Sequence, residues 1–270
     1  MIAFASCLRF DCDLPTMMKH TSLALLGLLL VTACEKAPQE RVIPSSVATQ
    51  PVPRDEKWMK RHESFNEISK KGEAKLVFLG DSITQGWEGK GKATWEKFYA
   101  TRNAANFGIG GDRTEHVLWR LNNGNFDGLS PKLIVLMIGT NNTGHVGRPQ
   151  KELNDAIYAC SAEQTADGVE MILRRLKEKV PQAKVLLLGI FPRGETPADA
   201  MRQQNEATNA TIAKLADGKS VYFLDIGKTF LQPDGTLTRE IMPDLLHLSE
   251  KGYDMWAEAI EPKVKELLGE

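Results

Sequence analysis

Metal-ligand chemistry is largely missing from this sequence. Among its 270 residues are four cysteines and five histidines, dispersed, with no Cys/His pairing at zinc spacing and no His-Glu-x-x-His. A metal-dependent deacetylase or phosphoesterase would lack its ligand cluster, and no motif asks for a cofactor. An excess of one charge is missing too: 34 basic residues face 35 acidic ones, for a formal charge of −1. Without a basic stripe, recognition of a nucleic-acid backbone is excluded. No apolar run reaches the ~20 residues that a spanning helix needs. What remains, 42% hydrophobic and 26% charged residues, is ordinary for a soluble domain with a sizeable core.

The apolar run that does exist is short. Leu23 to Val31 follows Lys19 and His20, just after Met17 and Met18, the pattern of a secretory signal. It ends in Val31-Thr32-Ala33-Cys34, which resembles a bacterial lipobox. That resemblance implies cleavage before Cys34, diacylation of Cys34, and, with Glu35 next, an outer-membrane address. A plain cleaved signal peptide is the alternative. Arg9, Asp11 and Asp13 sit badly ahead of such a signal, so residues 1–16 read as an over-extended start. The expected organisation is therefore a signal over 1–33, a lipid-anchored flexible tether over 34–53 and one catalytic domain over 54–270. The tether reading rests on four prolines among polar residues, which cannot bury a core. The protein is expected outside the cytoplasm, periplasmic or at the cell surface, touching membrane only through the anchor. Cys160, alone in the mature domain, reads as structural.

From Arg54 onward, short apolar runs alternate with helical patterns. Leu76–Leu79, Ala104–Phe107, Leu133–Ile138, Val185–Ile190 and Val221–Leu224 read as buried strands. Thr94–Ala100, Thr114–Leu121, Thr165–Val180, Ala200–Ala216 and Ser249–Leu268 read as helices. Such alternation implies right-handed crossovers and a parallel sheet covered on both faces. Ligands of open parallel sheets sit beyond the carboxyl ends of the strands, so the residues after each strand are the ones to inspect.

They are chemically unusual. Gly80-Asp81-Ser82-Ile83-Thr84 follows the first strand, Gly108-Ile109-Gly110-Gly111-Asp112 the second, and Gly139-Thr140-Asn141-Asn142 the third. Near the C-terminus Asp244 and His247 stand three apart, a spacing that one helical turn would bring to one side. Each feature has a plain alternative. Ser82 could be an N-cap, a glycine-rich turn could be only a turn, and Asp-x-x-His could be a surface pair. His62 and His116, on amphipathic helices, read as packing residues.

Together and in this order, the segments resemble the SGNH (GDSL-type) hydrolase family over Lys75 to Gly269. Asn106–Arg113, His116–Leu121, Gly139–Asn142, Phe191–Glu195 and Leu246–Leu248 are similar to the catalytic subunits of intracellular platelet-activating-factor acetylhydrolase. The resemblance implies a flavodoxin-like, three-layer α/β/α sandwich with a five-stranded parallel sheet. It implies Ser82 as nucleophile, His247 as general base and acid, and Asp244 as the residue that fixes the imidazole. It implies an oxyanion hole from the N–H groups of Ser82 and Gly111 and the amide of Asn141, with Gly110 as the alternative glycine. Asp81, Trp87, Asn142, His145 and Arg193 are candidate substrate contacts, although Asp81 and Asn142 could merely brace loops, Trp87 could pack, and Arg193 could pair with Glu195. Residues 143–165 look inserted. The implied activity is hydrolysis of short acyl esters by a serine esterase, with O-acetylated carbohydrate as the expected substrate. A phospholipid acetylhydrolase-like or lysophospholipase-like lipid esterase is the alternative, and a non-catalytic surface-binding lipoprotein a more distant one.

Overall fold

The computed structural model describes residues 41–270, so the signal, Cys34 and the first part of the tether lie outside the described residues. Residues 42–270 form one compact unit. Its elements are α1 (Glu56–Lys71), β1 (Leu76–Gly80), α2 (Ser82–Gln85), α3 (Lys92–Phe98), β2 (Ala104–Gly108), α4 (Thr114–Asn122), β3 (Leu133–Met137), α5 (Thr140–Gly144), the two-residue strands β4 (Pro149–Gln150) and β5 (Ala156–Ile157), α6 (Ala162–Lys179), β6 (Lys184–Leu188), α7 (Ala200–Ile212), β7 (Val221–Leu224) and α8 (Glu250–Leu268).

Five strands make the main sheet in the order β2-β1-β3-β6-β7, every neighbouring pair parallel. This is the expected three-layer arrangement. Strand residues alternate between its two sides. Val77, Leu79, Ile134 and Leu136 join the core beneath α1, α4, α6 and α7. Leu76, Phe78, Leu133 and Val135 join the core beneath α3 and α8, where Trp87, Tyr99, Tyr253 and Trp256 lie buried. The chain leaves β1 first toward β2 and then crosses to β3 on the other side. That reversal opens a crevice at the carboxyl ends of β1 and β3. Register levels those ends: Gly80 pairs with Gly108 on one side and with Met137 on the other.

Three expectations need correction. The helix Glu56–Lys71 was foreshadowed only by the amphipathic setting of His62, yet it has an Asp55 N-cap and a left-handed Gly72 C-cap. Strand β6 ends at Leu188, two residues earlier than the apolar run, because Ile190 is turned onto Asn209, which bonds both its N–H and its carbonyl. The stretch before residue 54 is not wholly a tether. Val47–Thr49 form a 3-10 turn, Ala48 is fully buried, and its carbonyl accepts the Thr114 hydroxyl at 2.8 Å. Polar composition misled here because a single small apolar residue suffices to dock a turn.

Candidate active site

The crevice is filled by the four loops singled out above. The apolar run of β1 stops at Gly80. Asp81 then caps α2 by accepting the Ile83 N–H at 3.0 Å, which makes Ser82 its first residue. Amides in the first turn of a helix have no intrahelical acceptor, so the Ser82 N–H is available to a ligand. Glycine lets the neighbouring strand come this near, since a Cβ at Gly108 would overlap the backbone of Thr84 and Gln85.

His247 comes from the loop before α8. Its Nε2 accepts from Ser82 Oγ at 2.8 Å, and its Nδ1 donates to Asp244 Oδ2 at 2.6 Å. The carboxylate fixes the proton on Nδ1 and leaves Nε2 as the acceptor facing serine. The segment is not the helical turn that the spacing suggested. Leu245 adopts φ +61°, and Asp244 Oδ1 accepts the N–H groups of Leu246 and His247 at 3.1 and 2.7 Å. A left-handed leucine is strained, and these bonds hold it. Partial burial opposes ionisation of Asp244, but the bonds from the His247 side chain and backbone prevail and keep its carboxyl below the ordinary range.

Opposite the serine stands the glycine loop. The Gly110 N–H is occupied, donating to Gln85 Oε1 at 2.7 Å. Gly111, at φ +78°, has no hydrogen bond from its N–H among the described ones, which favours it over Gly110 as an oxyanion donor. A Cβ built on Gly110 would lie 3.7 Å from that of Ser82, so the loop abuts the nucleophile. From the end of β3, Asn141 commits one amide hydrogen to the Asp112 carbonyl at 3.0 Å and keeps its second. Ser82, His247, Asp244, Gly111 and Asn141 thus converge from four loops, an arrangement competent for attack on an acyl carbonyl and for holding the charge that develops on its oxygen.

The other candidates separate. Trp87 is a core residue, 1% exposed and packed on Tyr253 and Trp256. Asn142 is buried as a brace, accepting from the Thr114 N–H and donating to Thr114 Oγ1 and the Tyr158 hydroxyl. Asp81 is buried behind the serine, and burial pushes its carboxyl up to about 7, the nearby Asp112 carboxylate adding to the effect against the Ile83 hydrogen bond. Arg193 donates to the carbonyl and hydroxyl of Thr140, at 2.9 and 3.1 Å, and so steadies the Asn141 loop. His145 bonds Arg113 through Nδ1 at 2.7 Å, and burial, then the charge of Arg113, drops it to about 4. His62 and His116 are buried, the latter held by the Arg113 N–H. Cys160 is a buried free thiol. Among the described residues no group of three His, Cys, Asp or Glu side chains is placed to hold a metal.

Sequence reasoning missed the scaffold of charge behind the site. Arg120, fully buried, donates to the Phe107 carbonyl at 2.9 Å and faces Asp112 at 3.0 Å. Arg113, 1% exposed, pairs with Glu115 and Glu152 and stacks over Tyr158; it thereby fastens the β4–β5 hairpin. Gln85, three residues after Ser82, could have been found by its closeness to the motif. Arg54, whose Nη1 donates to the Gly110 carbonyl across 56 residues of chain, had no local signal.

Comparison with known proteins agrees with this geometry. Residues 78–255 match the model of the GDSL-like lipase/acylhydrolase family. The chain is 37% identical to the human platelet-activating factor acetylhydrolase IB subunit alpha1 over 82% of its own length and 88% of that protein's. Among solved structures, a GDSL-like lipase from Bacteroides thetaiotaomicron superposes with a TM-score of 0.59 at 23% identity, covering 77% of this chain and 97% of that one. An acetylxylan esterase from Geobacillus stearothermophilus superposes with a TM-score of 0.54 at 19% identity, covering 71% of this chain and 94% of that one. These two likenesses show the shared fold. The family match and the identity to the human subunit show more: the chain belongs to the GDSL-like lipase/acylhydrolase family and is a carboxylic ester hydrolase.

Proposed function

We propose that the protein hydrolyses acetyl esters through an acyl-enzyme on Ser82, and that its physiological substrate is O-acetylated carbohydrate outside the cytoplasm. The observation that carries the mechanism is the continuous hydrogen-bonded chain from Ser82 Oγ through His247 to Asp244. His247 takes the serine proton as Oγ attacks. It returns that proton to the leaving alcohol, and then activates water to release acetate. The N–H groups of Ser82 and Gly111 and the free Asn141 amide hydrogen receive the oxyanion.

The acyl group is inferred from what two relatives have in common. Both the platelet-activating factor acetylhydrolase subunit and the acetylxylan esterase carry acetyl in their names. The alcohol differs between them. A cleft of about 370 Å³ flanks the glycine loop, where Arg54, Lys57, Arg61 and Gln85 stand beside Trp58 and Ile109; its charged and amide side chains can hydrogen-bond the hydroxyls of a sugar, although apolar surface lines it as well. The second reading, an acetylated lipid alcohol, is favoured by the 37% identity to the human subunit. The expected lipidation of Cys34 belongs with the first. Cys34→Ser should release the protein from the detergent-extracted membrane fraction, and an unmodified mature N-terminus by mass spectrometry would remove the anchor from the proposal.

The mechanism is tested by fluorophosphonate labelling and by Ser82→Ala. Labelling should map to Ser82, and Ser82→Ala should lower kcat on p-nitrophenyl acetate by at least about 10⁴-fold. More than a tenth of the wild-type rate in that variant would end the serine mechanism. Acetate should be preferred over octanoate, and acetate release from acetylated oligosaccharides but not from an acetylated ether lipid separates the two alcohols.

A further inference from the structure

We propose that Arg54 is a positioning residue for the oxyanion site, holding the Gly110–Gly111 peptide so that the Gly111 N–H is aimed at the acyl carbonyl. The inference rests on the reading of Gly111 as an oxyanion donor. In a trans peptide, the carbonyl of one residue and the N–H of the next point in opposite directions across a rigid plane. Whatever grips the Gly110 carbonyl therefore sets the direction of the Gly111 N–H. Two consecutive glycines cannot set it themselves, because their backbone rotates too freely.

The grip is a charged one. Arg54 Nη1 donates to the Gly110 carbonyl at 2.7 Å. The guanidinium lies against Gly111, where a Cβ would be 3.0 Å from Nη1 and 3.1 Å from Nη2. Behind it, Arg54 sits 3.6 Å from Asp112 Oδ1, an oxygen that also accepts the Trp58 Nε1–H at 2.6 Å. The preceding peptide is fixed independently, since Gln85 Oε1 accepts the Gly110 N–H at 2.7 Å. Each of the two peptide planes beside the serine is thus held by one side chain. A charge-assisted bond to the carbonyl also polarises its amide, which makes the N–H on the far side a better donor.

Arg54 lies before the first residue of the segment matched by the family model and immediately before the Asp55 cap of α1. The catalytic loop is accordingly completed by a residue delivered from the N-terminal stretch whose Ala48 is docked beside Thr114. This orientation matters to the transition state alone. A ground-state ester needs little from the hole, whereas the tetrahedral oxyanion needs a donor already in place.

The experiment compares Arg54→Ala, Arg54→Lys and Gln85→Ala with wild type on p-nitrophenyl acetate, and measures inhibition by a short trifluoromethyl ketone whose adduct carries the oxyanion. Arg54→Ala should lower kcat about 10- to 100-fold with KM within about twofold. The ketone should weaken by the same factor. Arg54→Lys, which can still donate to the carbonyl, should recover most of the loss, and Gln85→Ala should cost about five- to tenfold. Values of kcat within twofold of wild type, or a loss confined to KM, would overturn the assignment and leave Arg54 a structural or substrate-binding residue. Should Arg54→Ala fail to fold, Arg54→Met, which keeps the apolar stem but cannot donate to the carbonyl, decides: unchanged kcat and unchanged ketone affinity would overturn the clamp. Failure of the parent reading looks different, because Asn141→Ala would then retain full kcat, whereas a normal loss at Asn141 with none at Arg54 sinks this inference only.

Discussion

The two faces of the sheet are built from different chemistry. Beneath α3 and α8 the core is aromatic: Phe78, Trp87, Tyr99, Phe191, Phe230, Tyr253 and Trp256 are all buried there. Beneath α1 and α4 a core in which aliphatic residues outnumber the aromatics Trp58, Phe65, Phe107 and Phe126 adjoins buried charge, where Asp112, Arg113, Glu115 and Arg120 are each 1% exposed or less. The aromatic side gains from area removed from water, which is insensitive to pH and to the exact placement of an atom. The charged side gains little net stability from its pairs, since desolvation offsets attraction, but such pairs tolerate only one arrangement. It is the charged side that abuts the glycine loop. The contrast suggests that one face holds the fold and the other holds the geometry of the site.

That division can be broken experimentally. The largest expected effect is on stability: Trp256→Ala should cost about 3–5 kcal/mol in urea unfolding and leave kcat of the folded protein within about threefold. Trp256→Phe should cost far less, because the Trp256 Nε1–H it removes has no partner among the described hydrogen bonds. A hundredfold loss of kcat in either variant, assayed well below its melting point, would show that the faces are not separable.

Asn141→Ala should do the reverse. Turnover should fall ~10²–10³-fold with KM nearly unchanged, while the melting temperature shifts little, read by parallel kinetics and thermal denaturation. A KM effect alone would reassign Asn141 to substrate binding.

Asp81 sharpens the comparison through pH. Its folded carboxyl titrates at about 7, above the ordinary ~3.9 of the unfolded chain. Between those values the folded protein keeps a proton that the unfolded chain has released, so stability falls as pH rises and the loss is complete above about 7. Asp81→Asn should flatten that slope, and its advantage over wild type should be larger at pH 8 than at pH 4 by no more than ~4 kcal/mol. Equal differences at both pH values would contradict the shift. His116, lowered to about 3 chiefly by burial, slopes oppositely, which is why the variant-minus-wild-type difference is the quantity to measure. The smallest effect should come from Glu152→Gln. It weakens one of two carboxylate partners of Arg113, should cost about 1–2 kcal/mol, and should loosen the β4–β5 hairpin in hydrogen exchange before anything else.

Legibility in the sequence followed the range of the interaction. Strands such as Leu76–Gly80 declare themselves because burial on both faces demands a continuous apolar run. The loops that follow them stand out because glycine and amide side chains interrupt that run. Trp87 was ambiguous because its distance from Ser82 along the chain says nothing about which side of the sheet it enters. The Asp244–His247 spacing pointed to the right pair by the wrong geometry, a turn with Leu245 at φ +61° instead of a helix. Arg54, bonded to Gly110, and Arg113, paired with Glu152, were invisible for a plainer reason: isolated arginines carry no pattern, and only the folded chain brings them to their partners.

The buried thiol gives the domain a gauge of its own. Cys160 is the only cysteine of residues 42–270, is 7% exposed, and packs with Tyr158 and the docked Ala48. Burial also raises its thiol above the ordinary range, so alkylating reagents should ignore it while that corner stays shut. The rate at which a maleimide reaches it under native conditions therefore clocks how often the N-terminal stretch lifts away, a natural stopwatch on the strand of chain that carries Arg54 to its post.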